Sequence, residues 1–204
     1  MAKDRAYYER VTRGFEQATE RCRAETDPEQ AVRHLTMAAC ELLGDPDAPA
    51  KPGALKPGET QYVVSGMFII APKRDHMILH ADHGFPASQR HARISTADSR
   101  PGHTVKTGVP AVVPNTDVDP IFRQILASGR VGCSVYVPMI WGTEVIGMFN
   151  TAAQARYMYD ETDLRMQVLF ANLAAATWMA RGGPDHIVRL VATLPPWSAV
   201  PTST

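Results

Sequence analysis

Two runs rich in β-branched and aromatic residues, Ser134 to Pro138 and Val145 to Thr151, flank the short turn Trp141-Gly142-Thr143-Glu144. Branching at Cβ suits a pleated strand and glycine suits the reversal, so the pattern predicts an antiparallel hairpin. A chain built around this hairpin needs a sheet with two distinct faces. Alternate strand residues point to opposite sides, so Ser134 and Tyr136 share one face of the first strand while Cys133, Val135 and Val137 share the other. On the second strand Ile146, Met148, Asn150 and Ala152 fall together.

Helical periods frame the sheet. Tyr8, Val11, Phe15, Ala18 and Cys22 recur in steps of three and four, which predicts a helix over Lys3 to Ala24 with one apolar stripe. Asp27-Pro28-Glu29 supplies an N-cap, a first-turn proline and an acid, and Ala31, Leu35, Ala38 and Leu42 carry a second helix to Gly44. Asp45 to Thr60, with four prolines, reads as an exposed connection. Gln61 to Pro72 and Met77 to Asp82 read as two more strands about the turn Lys73-Arg74-Asp75. Between Gly84 and Gly132 periodic signals are sparse, with one short helix expected near His103 and another over Pro120 to Ser128. The last helix has Asp160 as its cap, Leu164, Val168, Ala171, Ala175 and Trp178 on one face, and Gly182-Gly183-Pro184 as its stop.

Composition narrows the function. Lys+Arg and Asp+Glu each number 21, so the net field offers nucleic acid or an anionic membrane no attraction. No apolar run approaches the roughly 20 residues of a membrane span. Met1-Ala2-Lys3-Asp4-Arg5 opens a charged amphipathic segment rather than a secretory signal, and a cytoplasmic location is expected. The three cysteines, Cys22, Cys40 and Cys133, are widely spaced, which predicts reduced thiols rather than a disulfide framework or a structural zinc site. No Gly-x-Gly-x-x-Gly, Walker loop, Gly-x-Ser-x-Gly or His-Glu-x-x-His occurs, so nucleotide-hydrolase, hydride-transfer, esterase and zinc-peptidase chemistries have no local support.

The hairpin is accompanied by His80-Ala81-Asp82-His83-Gly84-Phe85-Pro86, by Pro101 to Pro110, by Ala111-Val112-Val113-Pro114-Asn115-Thr116 and by Tyr159-Asp160-Glu161-Thr162-Asp163-Leu164. Their wording, order and spacing resemble those of GAF domains, over residues 28 to 182. The resemblance implies an α+β fold, a GAF-like antiparallel sheet of about six strands with N- and C-terminal helices on one face and a loop-covered ligand pocket on the other. Residues 1–27 would then be an N-terminal dimerisation helix, 28–182 the domain and 183–204 a C-terminal tail.

Polar side chains cost least where a ligand or water satisfies them, so Ser134, Tyr136, Met148 and Asn150 are assigned to the pocket face. His80, His83 and His103, able to donate or accept near neutral pH, join them as expected ligand-binding residues, with Asn115 and Phe122 from the covering segment. No cofactor and no metal is expected. His76 and His80 stand roughly 13 Å apart on an extended strand, too far to share an ion, which leaves His80, Asp82 and His83 as the remaining trio.

The function expected is that of a small-molecule sensor that signals in trans to a protein partner and works as a homodimer. The alternative is an enzyme on the same scaffold acting on a small polar metabolite, with Cys133, Tyr136 and His103 as its candidates. Free methionine-(R)-sulfoxide reductases are such enzymes. They carry cysteines where this chain has Pro101 and the cysteine-free stretch Asn115 to Gly132, and hairpin acids where it has Ser134, Asn150 and Ala152. Cys133 falls on the face away from the pocket and is read as a buried structural thiol.

Overall fold

Helix starts are set by side chains that satisfy the free N–H groups of a first turn. In the computed structural model, which describes residues 3–97, 99–124 and 129–198, Asp4 accepts from Tyr7 N at the head of α1 (Arg5–Ala24). Asp27 accepts from Gln30 N at α2 (Pro28–Leu42). Asp160 and Asp163 form a reciprocal capping box on α4 (Glu161–Ala180). The short α3 (Arg100–Thr107) is capped by Ser99 and ends at Gly108, whose φ of 67° is the left-handed geometry that glycine adopts freely.

The strands are β1 (Val63–Ile70), β2 (His76–His83), β3 (Arg93–Ser95), β4 (Ala111–Val113), β5 (Cys133–Trp141) and β6 (Glu144–Ala153). They form one six-stranded sheet in the order β3-β2-β1-β6-β5-β4, with antiparallel pairing throughout. The predicted hairpin is β5–β6, with Tyr136 opposite Asn150 and Pro138 opposite Met148. Met67 pairs with Ala81 and Phe68 with Leu79, so β2 carries one extra residue, His80, at a bulge.

The two sheet faces are covered differently. Met67, Ile69, Ile78, Val135, Val137, Met139 and Phe149 pack under Leu35 and Ala39 of α2 and Phe170, Ala171 and Ala174 of α4. At roughly 1.5–3 kcal/mol per fully buried large apolar side chain, this layer is the main favourable term for the fold. The opposite face carries a smaller cluster of Phe68, Met77, Leu79, Ile94, Val105, Val113, Tyr136 and Met148. The α+β architecture and the division of faces are those the sequence implied.

Several expectations are corrected. The α1 stripe is buried within its own chain by Tyr7, Val11, Ala18 and Cys22, with Phe15 edge-on to Phe170 at 5.0 Å, while Tyr8 is exposed. The groove between α2 and α4 covers the stripe. The segment after Ala180 contains a fifth helix, α5 (Gly183–Thr193), because Gly182 in the left-handed region and Pro184 in the first turn end one helix and start the next. No helix forms over 120–124, and 125–128 lie outside the described residues. The 45–60 connection is mostly exposed as expected, with Ala48 and Ala54 pinning it to the body. Among the described residues no helix is long and apolar enough to cross a membrane.

Candidate functional site

Above the second sheet face lies a cavity of about 60 Å³. Its wall takes Val64 and Phe68 from β1, Phe85 from the β2 exit, Ile94 from β3, Pro101 from α3, Tyr136 from β5, and Met148, Asn150 and Ala152 from β6. Phe122, Arg123, Gln124 and Val131 of the covering segment roof it. At roughly 30 Å³ per water, the space as it stands suits a ligand of only a few atoms, and a larger one requires the roof to shift.

The cavity lining is mainly apolar, and its polar groups include the Asn150 amide and the Tyr136 phenol. Asn150 Nδ2 donates to Ser134 Oγ (2.7 Å) and to the Val135 carbonyl (2.9 Å). A carbonyl can only accept, so this bond fixes which end of the amide is nitrogen. Among the described residues no donor reaches Asn150 Oδ1, which leaves it as an acceptor in the wall. Ser134 sits behind it and donates to the Thr151 carbonyl (3.2 Å). Burial pushes the Tyr136 phenol up to about 12, with Ser134 pulling the other way, so it stays protonated and can donate.

The roof is anchored by charge. Arg100 forks onto Asp119 at the head of α3 (2.8 Å from Nε). The buried Arg156 donates to Glu59 (2.6 and 3.0 Å), to Asp117 (2.6 Å) and to the Ala54 carbonyl (3.1 Å). Lys56 (2.7 Å) and Arg130 also hold Asp117. Hydrogen bonding from Arg156, then from Lys56, keeps the Asp117 carboxyl far below its usual range, and Arg156 lowers Glu59 to about 2.

Of the residues singled out from sequence, Phe122, Tyr136, Met148 and Asn150 line the cavity, with Ser134 bonded behind Asn150. The others stand elsewhere. His80 is on the helix side, where Trp178 Nε1 donates to its Nε2 (3.1 Å). His83 ends β2, half-buried and away from the wall. His103 is exposed on the outer face of α3, because Pro101, Gly102, Thr104 and Val105 take the inward positions. Asn115 caps a 3₁₀ turn, accepting from Asp117 N (3.0 Å) and donating to Tyr157 OH (3.2 Å). Cys133 lies on the helix face, where burial raises its thiol to about 12. His80, Asp82 and His83 are not brought together. Asp82 instead meets Arg33, which donates to its carbonyl at 3.0 Å. Sequence reasoning missed Val64 and Phe68, which the period-2 alternation of β1 could have signalled, and Phe85 and Ile94, which lie outside β1 where no such run exists.

Neither a family model nor a curated protein sequence matches the chain. Solved structures do. The GAF domain of a phosphoenolpyruvate-protein phosphotransferase from Coxiella burnetii matches at 16% identity over 87% of this chain and 98% of that one, with a TM-score of 0.69. The free methionine-R-sulfoxide reductase of Neisseria meningitidis, solved with its substrate, matches at 19% identity over 90% and 96%, TM-score 0.65. The GAF domain of an Acinetobacter phosphoenolpyruvate-protein phosphotransferase matches at 9% identity over 95% and 99%, TM-score 0.64.

Proposed function

We propose, from the premise that this chain carries the GAF fold of these neighbours, that it is a cytoplasmic regulatory protein that binds a small, largely apolar molecule in the cavity. The observation that carries the reading is the acceptor Asn150 Oδ1, which no donor reaches among the described residues, in a mainly apolar wall that holds no thiol and no carboxylate there. A ligand with an apolar body and one N–H or O–H donor fits such a wall. Its bound state would reach a protein partner in trans.

Thermal-shift screening against a metabolite library tests this. A ligand that binds only the folded state, at a hundredfold its Kd, adds about 2.7 kcal/mol. For a chain of this size that is roughly 5–10 °C in Tm. Asn150→Leu should abolish the response while costing the unliganded protein only about 1 kcal/mol. Ser134 Oγ keeps its bond to Thr151 O, and Val135 O still accepts from Gln167. A leucine variant that binds as well as wild type sinks the assignment.

The second reading, an enzyme of the sulfoxide-reductase kind, is favoured by the structural likeness to the Neisseria enzyme. Such chemistry requires an accessible thiolate and a resolving thiol. Burial raises Cys22 to about 11 and Cys40 to about 12, and Cys133 is on the far side of the sheet. We expect no alkylation of Cys133 by iodoacetamide in the native protein at pH 8, and no thiol-dependent turnover of free methionine sulfoxide. Turnover that disappears in Cys133→Ser would move the protein to the enzyme class.

We also propose a homodimer. α1 is covered within its own chain, so the support comes from α4, which is apolar on most of its circumference and leaves Leu169 49% exposed. Sedimentation as a monomer at micromolar concentration counts against it.

A further inference from the structure

The helix side of the sheet holds a group of potential ligands that belongs to no part of the cavity. Glu29 in the first turn of α2, His80 at the β2 bulge and His186 in the first turn of α5 each present one ligand atom, all within 4.8 Å of one another. Glu29 and His80 are 4% and 1% exposed. A bulge re-aims a side chain at the expense of a ladder bond, and here the extra residue is the histidine. Its Nε2 accepts from Trp178, and its Nδ1 is fully buried with no hydrogen-bond partner among the described residues. Buried polar atoms rarely go unpaired, so this nitrogen calls for an occupant.

Beside them His91 presents Nε2 to the second carboxylate oxygen of Glu29 at 3.0 Å. It does so from a left-handed backbone, φ 57°, a conformation that non-glycine residues hold only where the surroundings enforce it.

We propose that Glu29, His80 and His186 bind one divalent transition-metal ion, with His91 orienting the Glu29 carboxylate through its hydrogen bond to Oε2. Two imidazoles and one carboxylate are the donors that zinc and its neighbours take. Two features oppose binding. Arg33 (2.8 Å) and Arg90 (3.1 Å) both hold Glu29 Oε1, yet they leave Oε2 to His91, and their side chains are 30% and 58% exposed to screening water. Trp178 donates to His80 Nε2, which in the neutral ring puts the proton on Nδ1. For Nδ1 to bind a metal that proton must leave and Nε2 must carry one, so the Trp178 bond breaks. A coordination shell of several ligands outweighs one neutral hydrogen bond, so the ion wins, and the indole reports it.

The test uses full-length, tag-free protein stripped with a chelator and titrated with Co²⁺ as a spectroscopic substitute for Zn²⁺. The expected result is one equivalent bound in the low-micromolar range or tighter, with visible d–d absorption, a change in tryptophan emission and displacement by Zn²⁺. The partly exposed His186, replaced in His186→Gln, should weaken binding at least tenfold without unfolding the protein. Glu29→Gln should do the same. In Trp178→Phe the competing donor is gone, so Co²⁺ should bind at least as tightly, with the emission response lost. Absence of saturable binding below 100 µM (roughly the weak end of specific cation sites), or binding indifferent to His186→Gln, overturns the proposal.

Discussion

Asp163→Ala is expected to lower the unfolding free energy by roughly 3–5 kcal/mol, the largest effect of any single polar substitution considered for this chain. The Asp163 carboxylate is buried and gathers four donors. These are Tyr7 OH (2.6 Å), Gly44 N (2.8 Å), Asp160 N (3.0 Å) and Lys3 Nζ (3.0 Å). It thereby ties the head of α1, the turn after α2 and the start of α4 to one point. Alanine removes the capping box and strands a phenol and a backbone N–H in the interior, each costing about 1–3 kcal/mol. Burial, then the bond to Asp163, holds the Tyr7 phenol un-ionised, so ionisation offers it no escape. The fall in Tm should be roughly 10 °C. Asp163→Asn, which keeps one acceptor oxygen, should lose less. An alanine variant within 1 kcal/mol of wild type, by about the usual error of such measurements, would show that these bonds do not hold the helices.

Arg156→Met is expected to cost roughly 2–3 kcal/mol. Breaking a buried ion pair from one side costs about 3–5 kcal/mol because the partner charge is left behind. That range is discounted here because Glu59 and Asp117 keep 14% and 18% of their side-chain surface in water. The pH dependence has a definite sign. Glu59 is lowered from 4.5 to about 2 in the folded protein, so its contribution is present above about pH 4.5 and is lost as pH falls toward 2. Urea unfolding at pH 7 and pH 3 should therefore converge between wild type and variant at the lower pH. Arg156→Met also frees one anchor of the roof, and it should make residues 117–124 and 129–131 exchange amide hydrogens faster than in wild type.

The parts of this structure that could be read from sequence are those whose signal is local. The β5–β6 hairpin, α2 and α4 each carry a full run of their own period with a cap or turn at the end. α1 was placed correctly but its buried edge begins at Tyr7 rather than Tyr8, because a stripe this wide does not fix the helix phase to one residue. β3 has three residues, too few to show alternation. The sequence predicts a tail where α5 forms, because Gly182-Gly183-Pro184 satisfies both a stop and a start.

The site was half legible for the same reason. Strand alternation put Ser134, Tyr136, Met148 and Asn150 together correctly, since β5 and β6 keep register across that stretch. It could not say which face of β2 meets the helices, and His80 was assigned to the wrong one. Arg156 and His186 carry no sequence signal, and Glu29 signals only a helix start. Their partners include residues far away in the chain, such as Glu59 and Asp117 for Arg156 and His91 for Glu29, which only the tertiary fold brings near.

A small molecule bound on the cavity face of the sheet lies against Met148. The direct measurement is methyl NMR on protein labelled at its methionine methyl groups, titrated with hits from the thermal-shift screen. Met148 is in the cavity wall, whereas Met67 and Met139 are buried on the helix face of the same sheet. The predicted result is a saturable shift or broadening of Met148 with Met67 and Met139 unmoved, lost in Asn150→Leu. Shifts at Met67 or Met139 with Met148 silent would place the ligand on the other side of the sheet and contradict the account.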